Sequence, residues 1–278
     1  MTVPNKVGVL GGGRMGAGIA HSFLAAGAEV TVVDINDEAA AAAHERISND
    51  VDGSLKRGAE GTREEWLERL TVTTDAGAFA GLPLVVEAVP ESMDLKVASF
   101  KKIADASPEA VIATNTSSLS VSDLALTVDN DVIGLHFFNP VPASKLVEIV
   151  VADSTPEPLV DEARGWVEAL GKTPIVVKDA PGFASSRLGV VIALEAIRMV
   201  EEGVASAQDI DNAMVLGYKF PVGPLALTDI VGLDVRLGIA EYLASTLGDR
   251  FAPPQLMRDM VERGELGRKS GKGFYDYS

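Results

Sequence analysis

The chain has 278 residues, no cysteine and a formal net charge of −16. That charge excludes a nucleic-acid binder, which needs a basic face, but not a phosphorylated small ligand held by a local Lys or Arg cluster. The lack of cysteine removes disulfides, thiolate nucleophiles and Cys-ligated metal, so no metal site is expected.

The first two-thirds alternates short β-branched runs with helical segments, the mark of a parallel sheet wrapped by helices. In chain order, Lys6–Leu10 reads as strand, Arg14–Ala26 as helix and Glu29–Asp34 as strand. A long helix follows over Asp37–Arg57 and a shorter one over Glu64–Leu70. Leu84–Val89, Val111–Thr114, Val132–Phe138, Leu146–Val151 and Pro174–Val177 read as further strands. After "KDAPGF" the grammar changes to helices in series, near Ser185–Glu202, Ala207–Leu216, Leu225–Ile230, Asp234–Leu247 and Pro254–Arg263. Glycines punctuate them as helix stops. No stretch has the length of a membrane span or the layout of a signal peptide, which predicts a cytoplasmic protein with no membrane partner.

Gly11-x-Gly13-x-x-Gly16 lies between the first strand and the first helix. Gly11 allows the tight turn, Gly13 lets the backbone approach a pyrophosphate, and Gly16 lets the helix pack on the strand. The helix N-terminus offers N–H groups and a positive dipole end to the phosphates. The second strand ends at Asp34, where a carboxylate meets ribose hydroxyls and repels a 2′-phosphate. NAD is therefore expected over NADP. The expected fold is an α/β Rossmann-type NAD-binding domain over residues 1–182, then an all-α C-terminal domain over residues 183–278.

Three histidines limit the choice of acid–base group. His21 and His44 fall in the first two helices, away from the carboxyl ends of the strands where ligands bind. His136 sits late in "VIGLHFFNP", and "KLVEIVV" returns after Pro142. If the two segments form a hairpin centred near Pro142, His136 faces Glu148, which would orient the imidazole and favour its protonated form. In "ATNTSSLSVSDL", Ser120 and Asp123 have capping-box spacing, so Ser120 has a structural explanation. Asn115 and Ser117 are left for a ligand, and spacing alone does not choose between them.

These segments together resemble the 3-hydroxyacyl-CoA dehydrogenase family, most closely its short-chain 3-hydroxybutyryl-CoA members. The residues carrying the resemblance are "GVLGGGRMGAGIA", "VVEAVPESMDLK", "TNTSSLS", "GLHFFNPVP", "KLVEIV", "GKTPIVVKDAPGF", "GPLALTDIVGLD" and "GRKSGKGFYDY". The resemblance implies interconversion of an L-3-hydroxyacyl-CoA and its 3-oxoacyl-CoA, and a homodimer formed through the helical domain. It makes His136 the catalytic acid–base, Glu148 its partner and Ser117 the substrate-binding serine. NAD contacts would fall at Gly11, Gly13, Arg14, Met15, Gly16, Asp34, Glu91, Lys96, Asn139 and Lys269. Ser54 matches a coenzyme A contact, with Lys56 and Arg57 beside it for the CoA phosphates. Where the family has an asparagine near the substrate, "GFASSRLG" places Ser186. A dehydrogenase of a CoA-free 3-hydroxy acid would typically use a lysine base instead. A non-catalytic NAD-binding protein on the same scaffold would have no need of Ser117, His136 and Glu148.

Overall fold

A computed structural model describes residues 2–277. The chain divides into two compact units, one ending at Asp179 and one beginning at Ala180.

The first unit is an eight-stranded sheet with helices between its strands. Its strands are β1 (Lys6–Leu10), β2 (Glu29–Val33), β3 (Leu70–Thr73), β4 (Leu84–Glu87), β5 (Val111–Thr114), β6 (Val132–Phe137), β7 (Leu146–Val151) and β8 (Thr173–Lys178). Their order is β3-β2-β1-β4-β5-β6-β7-β8, and every pairing is parallel except the antiparallel β6–β7 hairpin. The helices are α1 (Arg14–Ala25), α2 (Asp37–Lys56), α3 (Arg63–Leu67), α4 (Met93–Ala106), α5 (Val121–Ala125) and α6 (Glu157–Ala169). Strand β6 is buried at every position, as expected of a strand covered on both faces. Ile19, Phe23 and Leu24 of α1 pack into the same core as Val7 and Val9 of β1. Each such side chain contributes about 1.5–3 kcal/mol on full burial.

One strand escapes the sequence reading. The helical pattern runs to Leu70, but α3 stops at Leu67, and Leu70–Thr73 pairs with β2 as the edge strand. Only four residues long and half exposed, β3 shows too little apolar alternation to announce itself. The guanidinium of Arg69, donating to Leu24 O and Ala28 O, turns the chain from helix into strand.

The second unit is helical: α7 (Ser185–Glu201), α8 (Ala207–Asn212), α9 (Pro224–Val231), α10 (Leu233–Leu247) and α11 (Gln255–Glu262). The helix expected over Ala207–Leu216 ends as α-helix at Asn212 and continues as a π-helical turn, Ala213–Gly217. Leu194 and Ile197 of α7, Leu225 of α9, and Ala240 and Leu243 of α10 form its core. Two buried carboxylates tie down the C-terminal segment. Asp229 accepts from Phe274 N and Tyr275 N, and Asp211 accepts from the Tyr275 hydroxyl. Among the described residues, no helix is long and apolar enough to cross a membrane.

Candidate active site

The turn after β1 is shaped by missing side chains. Gly11 has φ +93°, the left-handed region that glycine adopts without strain. A Cβ on Gly16 would lie 1.7 Å from Gly11 O, so the start of α1 can close on the turn only as glycine. At Gly13 a Cβ would meet nothing within 4 Å, leaving the open backbone approach that a pyrophosphate needs. Gly13 caps α1 without a side-chain hydrogen bond, and Arg14 beside it is exposed while Met15 is half-buried. Asp34, just past β2, accepts from Gly12 N at 2.8 Å and from Ile35 N at 2.7 Å. The acid is thereby fixed against the loop it serves. These residues fit a dinucleotide: a bare turn, a helix N-terminus and a placed carboxylate.

The other half of the site lies at the carboxyl ends of β4, β5 and β6. Glu87, fully buried, accepts from Val89 N, from the Thr114 hydroxyl and from Lys96 Nζ on both oxygens. Parallel register sets Thr114 opposite Glu87, and α4 delivers Lys96 from above. Beyond this pair, Glu91 Oε1 accepts from the Thr116 hydroxyl and from the amides and hydroxyls of Ser117 and Ser118. Burial opposes the charge on Glu91, but Lys96 and these donors outweigh it and hold the carboxyl below its usual range. The loop bearing Ser117 is thus folded around one carboxylate.

The expected hairpin is present, with His136 opposite Glu148 in the β6–β7 register. His136 Nδ1 lies 2.7 Å from Glu148 Oε2, with Glu148 fully buried and His136 nearly so. The ring of Phe138 stacks obliquely on the imidazole at 4.5 Å. Asn115 takes a structural part here, its Oδ1 accepting from Phe137 N and joining the serine loop to the histidine strand. Lys172 donates to Val141 O and Ser144 O, both at 2.6 Å, and pins the hairpin turn from below. Ser120 caps α5 through Asp123 N, as its spacing predicts, and its hydroxyl also donates to Asp179.

A sequence model of the 3-hydroxyacyl-CoA dehydrogenase NAD-binding domain matches residues 6–180, and one of that family's C-terminal domain matches residues 182–277. The chain belongs to this family. A probable 3-hydroxybutyryl-CoA dehydrogenase of Bacillus subtilis is 39% identical over 278 residues, covering 98% of this chain and 97% of the relative. A 3-hydroxybutyryl-CoA dehydrogenase of Mycobacterium tuberculosis is 40% identical, covering 98% of each chain. The crystal structure of (S)-3-hydroxybutyryl-CoA dehydrogenase PaaH1 from Ralstonia eutropha superposes with a TM-score of 0.93 at 38% identity, covering 99% of both chains. The cofactor of the first unit is accordingly NAD.

Seen within the family fold, the remaining expected residues divide by environment. Asn139 and Lys56 are exposed. Lys269 is also exposed and donates to both oxygens of Asp234. Lys96 is 1% exposed and spends its ammonium on Glu87 and Val89 O, so it supports the site through those two acceptors. Ser54 of α2 meets His21 Nε2 at 2.9 Å and accepts from Arg57. Ser186 is half-buried in the first turn of α7. Sequence reasoning missed Glu87, Thr116, Ser118 and Lys172. The one signal for Glu87 was a carboxylate closing the apolar run "LVVE", too small a clue without knowing that Lys96 returns above it.

Proposed function

We propose that this chain is a cytoplasmic NAD-dependent dehydrogenase that interconverts a short-chain L-3-hydroxyacyl-CoA, 3-hydroxybutyryl-CoA, and its 3-oxoacyl-CoA. The observation that carries the reading is the His136–Glu148 pair at 2.7 Å, tied through Asn115 to the loop that presents Ser117. The relatives named 3-hydroxybutyryl-CoA dehydrogenase support the substrate class.

NAD, when bound, gives or takes the hydride. His136 handles the proton. With Nδ1–H directed at Glu148, Nε2 releases a proton to the substrate oxygen in reduction and takes it back in oxidation. Glu148 holds the ring's orientation through the cycle. Ser117, on the loop organised by Glu91, donates to the same substrate oxygen, and the Ser186 hydroxyl stands where the family has an amide donor. Gly11, Gly13, Arg14, Met15 and Gly16 cradle the pyrophosphate, Asp34 takes the ribose hydroxyls, and Glu91, Asn139 and Lys269 complete the cofactor contacts. Lys96 acts on the cofactor side by fixing Glu91, whose Oε2 lies 3.6 Å from its ammonium. Ser54, Lys56 and Arg57 meet coenzyme A.

The second unit serves in substrate binding and in homodimer formation. Leu227, Ile230, Val231 and Val235 are each 38–46% exposed along α9 and the start of α10, an apolar stripe suited to a second copy.

The test is NADH oxidation by the purified protein with acetoacetyl-CoA beside longer 3-oxoacyl-CoA substrates. Faster turnover of acetoacetyl-CoA supports the reading, and no NADH loss with any of these thioesters overturns it.

A further inference from the structure

The first unit buries a second histidine that the chemistry above does not use. His21 of α1 is 4% exposed, and its Nε2 lies 2.9 Å from Ser54 Oγ of α2. Its Nδ1 is buried with no partner among the described residues. The Trp66 ring flanks the imidazole at 5.9 Å, tilted by 34°, and its own Nε1 donates to Glu60 O. Burial, with the charges of Arg57 and Lys172, keeps the imidazole neutral at pH 7.

A neutral imidazole carries one N–H. On Nδ1 that hydrogen would be a buried donor with nothing to meet, the rare and costly case. On Nε2 it meets Ser54 Oγ, so Nε2 is the donor and the serine the acceptor. A second donor reaches the same oxygen, Arg57 Nη2 at 3.2 Å. Gly53 makes room for it: a Cβ there would lie 3.2 Å from Arg57 Nη1, so the guanidinium can fold back over the helix.

A serine oxygen has two acceptor sites and one proton. With both sites filled, Ser54 has only its proton to give, and no acceptor among the described residues takes it. The acids a turn or less before it, Asp50 and Asp52, do not accept from it, and Asp52 holds Arg63. Lys56 and Arg57, both exposed, stand at the end of the same helix. A hydroxyl donor beside two cations suits an anionic oxygen.

We propose that His21 is a positioning residue for the thioester: it donates to Ser54, shares that oxygen with Arg57, and so turns the Ser54 hydroxyl outward as a donor to the phosphorylated half of coenzyme A. The inference rests on the function proposed above, where Ser54 meets coenzyme A. It gives a histidine with no proton to move a part in holding the substrate.

The test compares acetoacetyl-CoA with acetoacetyl-pantetheine, which reacts at the same carbonyl and carries no phosphate. The ratio of their kcat/KM values is read within one protein, so general damage cancels. Ser54→Ala and His21→Leu should each lower that ratio about threefold to tenfold, the usual worth of a neutral hydrogen bond, through KM for acetoacetyl-CoA. The double variant should fall no further than either alone, because both act on one contact. His21→Gln, whose amide N–H stands in for Nε2–H, should keep the parent ratio. His21→Asn, one methylene shorter, should behave like His21→Leu. Side-chain nitrogen NMR of the unaltered protein should find His21 protonated at Nε2.

A ring protonated at Nδ1 overturns the proposal. So does a ratio that drops in Ser54→Ala but holds in His21→Leu, which would leave His21 a packing residue, and so do losses that add in the double variant. If His21→Leu does not fold, His21→Gln and His21→Asn carry the comparison, and equal ratios in those two overturn it. If acetoacetyl-CoA is reduced while Ser54→Ala keeps the parent ratio, this inference alone fails. If acetoacetyl-CoA is not reduced, the functional reading fails and takes this inference with it.

Discussion

The β1–α1 turn and the ends of β4, β5 and β6 build their shares of one site by opposite means. At the turn, backbone does the holding, and the sequence contributes chiefly by withholding side chains at Gly11, Gly13 and Gly16. At the other strand ends, Glu87, Glu91 and Glu148 gather donors from Lys96, Thr114, three consecutive loop residues and His136. The difference follows from the task. A pyrophosphate is bound by N–H groups and a helix dipole, which any sequence supplies once space is cleared. A proton that must be held at one atom needs a side chain whose orientation is itself fixed by another. A carboxylate in this protein is therefore a framework part as often as a reagent.

The largest expected effect separates reagent from framework. His136→Ala should lower the reduction rate by about 10²–10⁴-fold, the usual worth of a general acid–base group, with NADH affinity unchanged by fluorescence titration. Glu148→Gln keeps the shape and removes the charge that holds the ring, so it should lower kcat by less than His136→Ala does while leaving NADH affinity unchanged. A Glu148→Gln protein with undiminished kcat would take Glu148 out of the chemistry.

Next in size is the turn. Gly16→Ala must displace Gly11 O and should cost on the order of 3 kcal/mol of stability by urea unfolding. Gly13→Ala meets no protein atom within 4 Å, so it should unfold like the parent yet bind NADH more weakly. If both substitutions lower stability alike, the turn is packed for the fold and not kept clear for a ligand.

His21 offers a comparison on a smaller scale. Burial, aided by the charges of Arg57 and Lys172, pulls its pKa from 6.5 to about 4. The unfolded chain then takes up a proton in that window while the folded chain does not, so stability is lost as pH falls through it, by up to about 3 kcal/mol. Urea unfolding at about pH 7 and about pH 4 should show a shallower loss in His21→Gln than in the parent. An identical slope would mean that the imidazole is already charged in the fold.

Asp34→Ala should give the smallest change, because the loop keeps its other contacts. Loss of one ribose hydrogen bond to a charged acceptor, about 1.5 kcal/mol, should narrow the NADH over NADPH preference by about tenfold. Equal use of the two cofactors by the unaltered protein would remove Asp34 from cofactor choice altogether.

The sequence by itself determined the alternation of strands and helices, the glycine turn with its acid, and the pairing of His136 with Glu148. Each of these is a matter of local period or symmetric spacing, and period and spacing survive in one dimension. It did not determine β3, whose four half-exposed residues acquire strand character only by lying against β2. Nor did it determine the environments of charge. Glu87 and Lys96 look like ordinary surface residues until β4 and α4 fold over them, and Asn115 looks like a ligand group until Phe137 N arrives from β6. Arg236 of α10 is the extreme case: nothing in "LDVRLG" says that its guanidinium will be desolvated, with no partner for its Nε among the described residues. The free energy of a charge depends on what surrounds it in three dimensions, and only the packing of distant segments decides that.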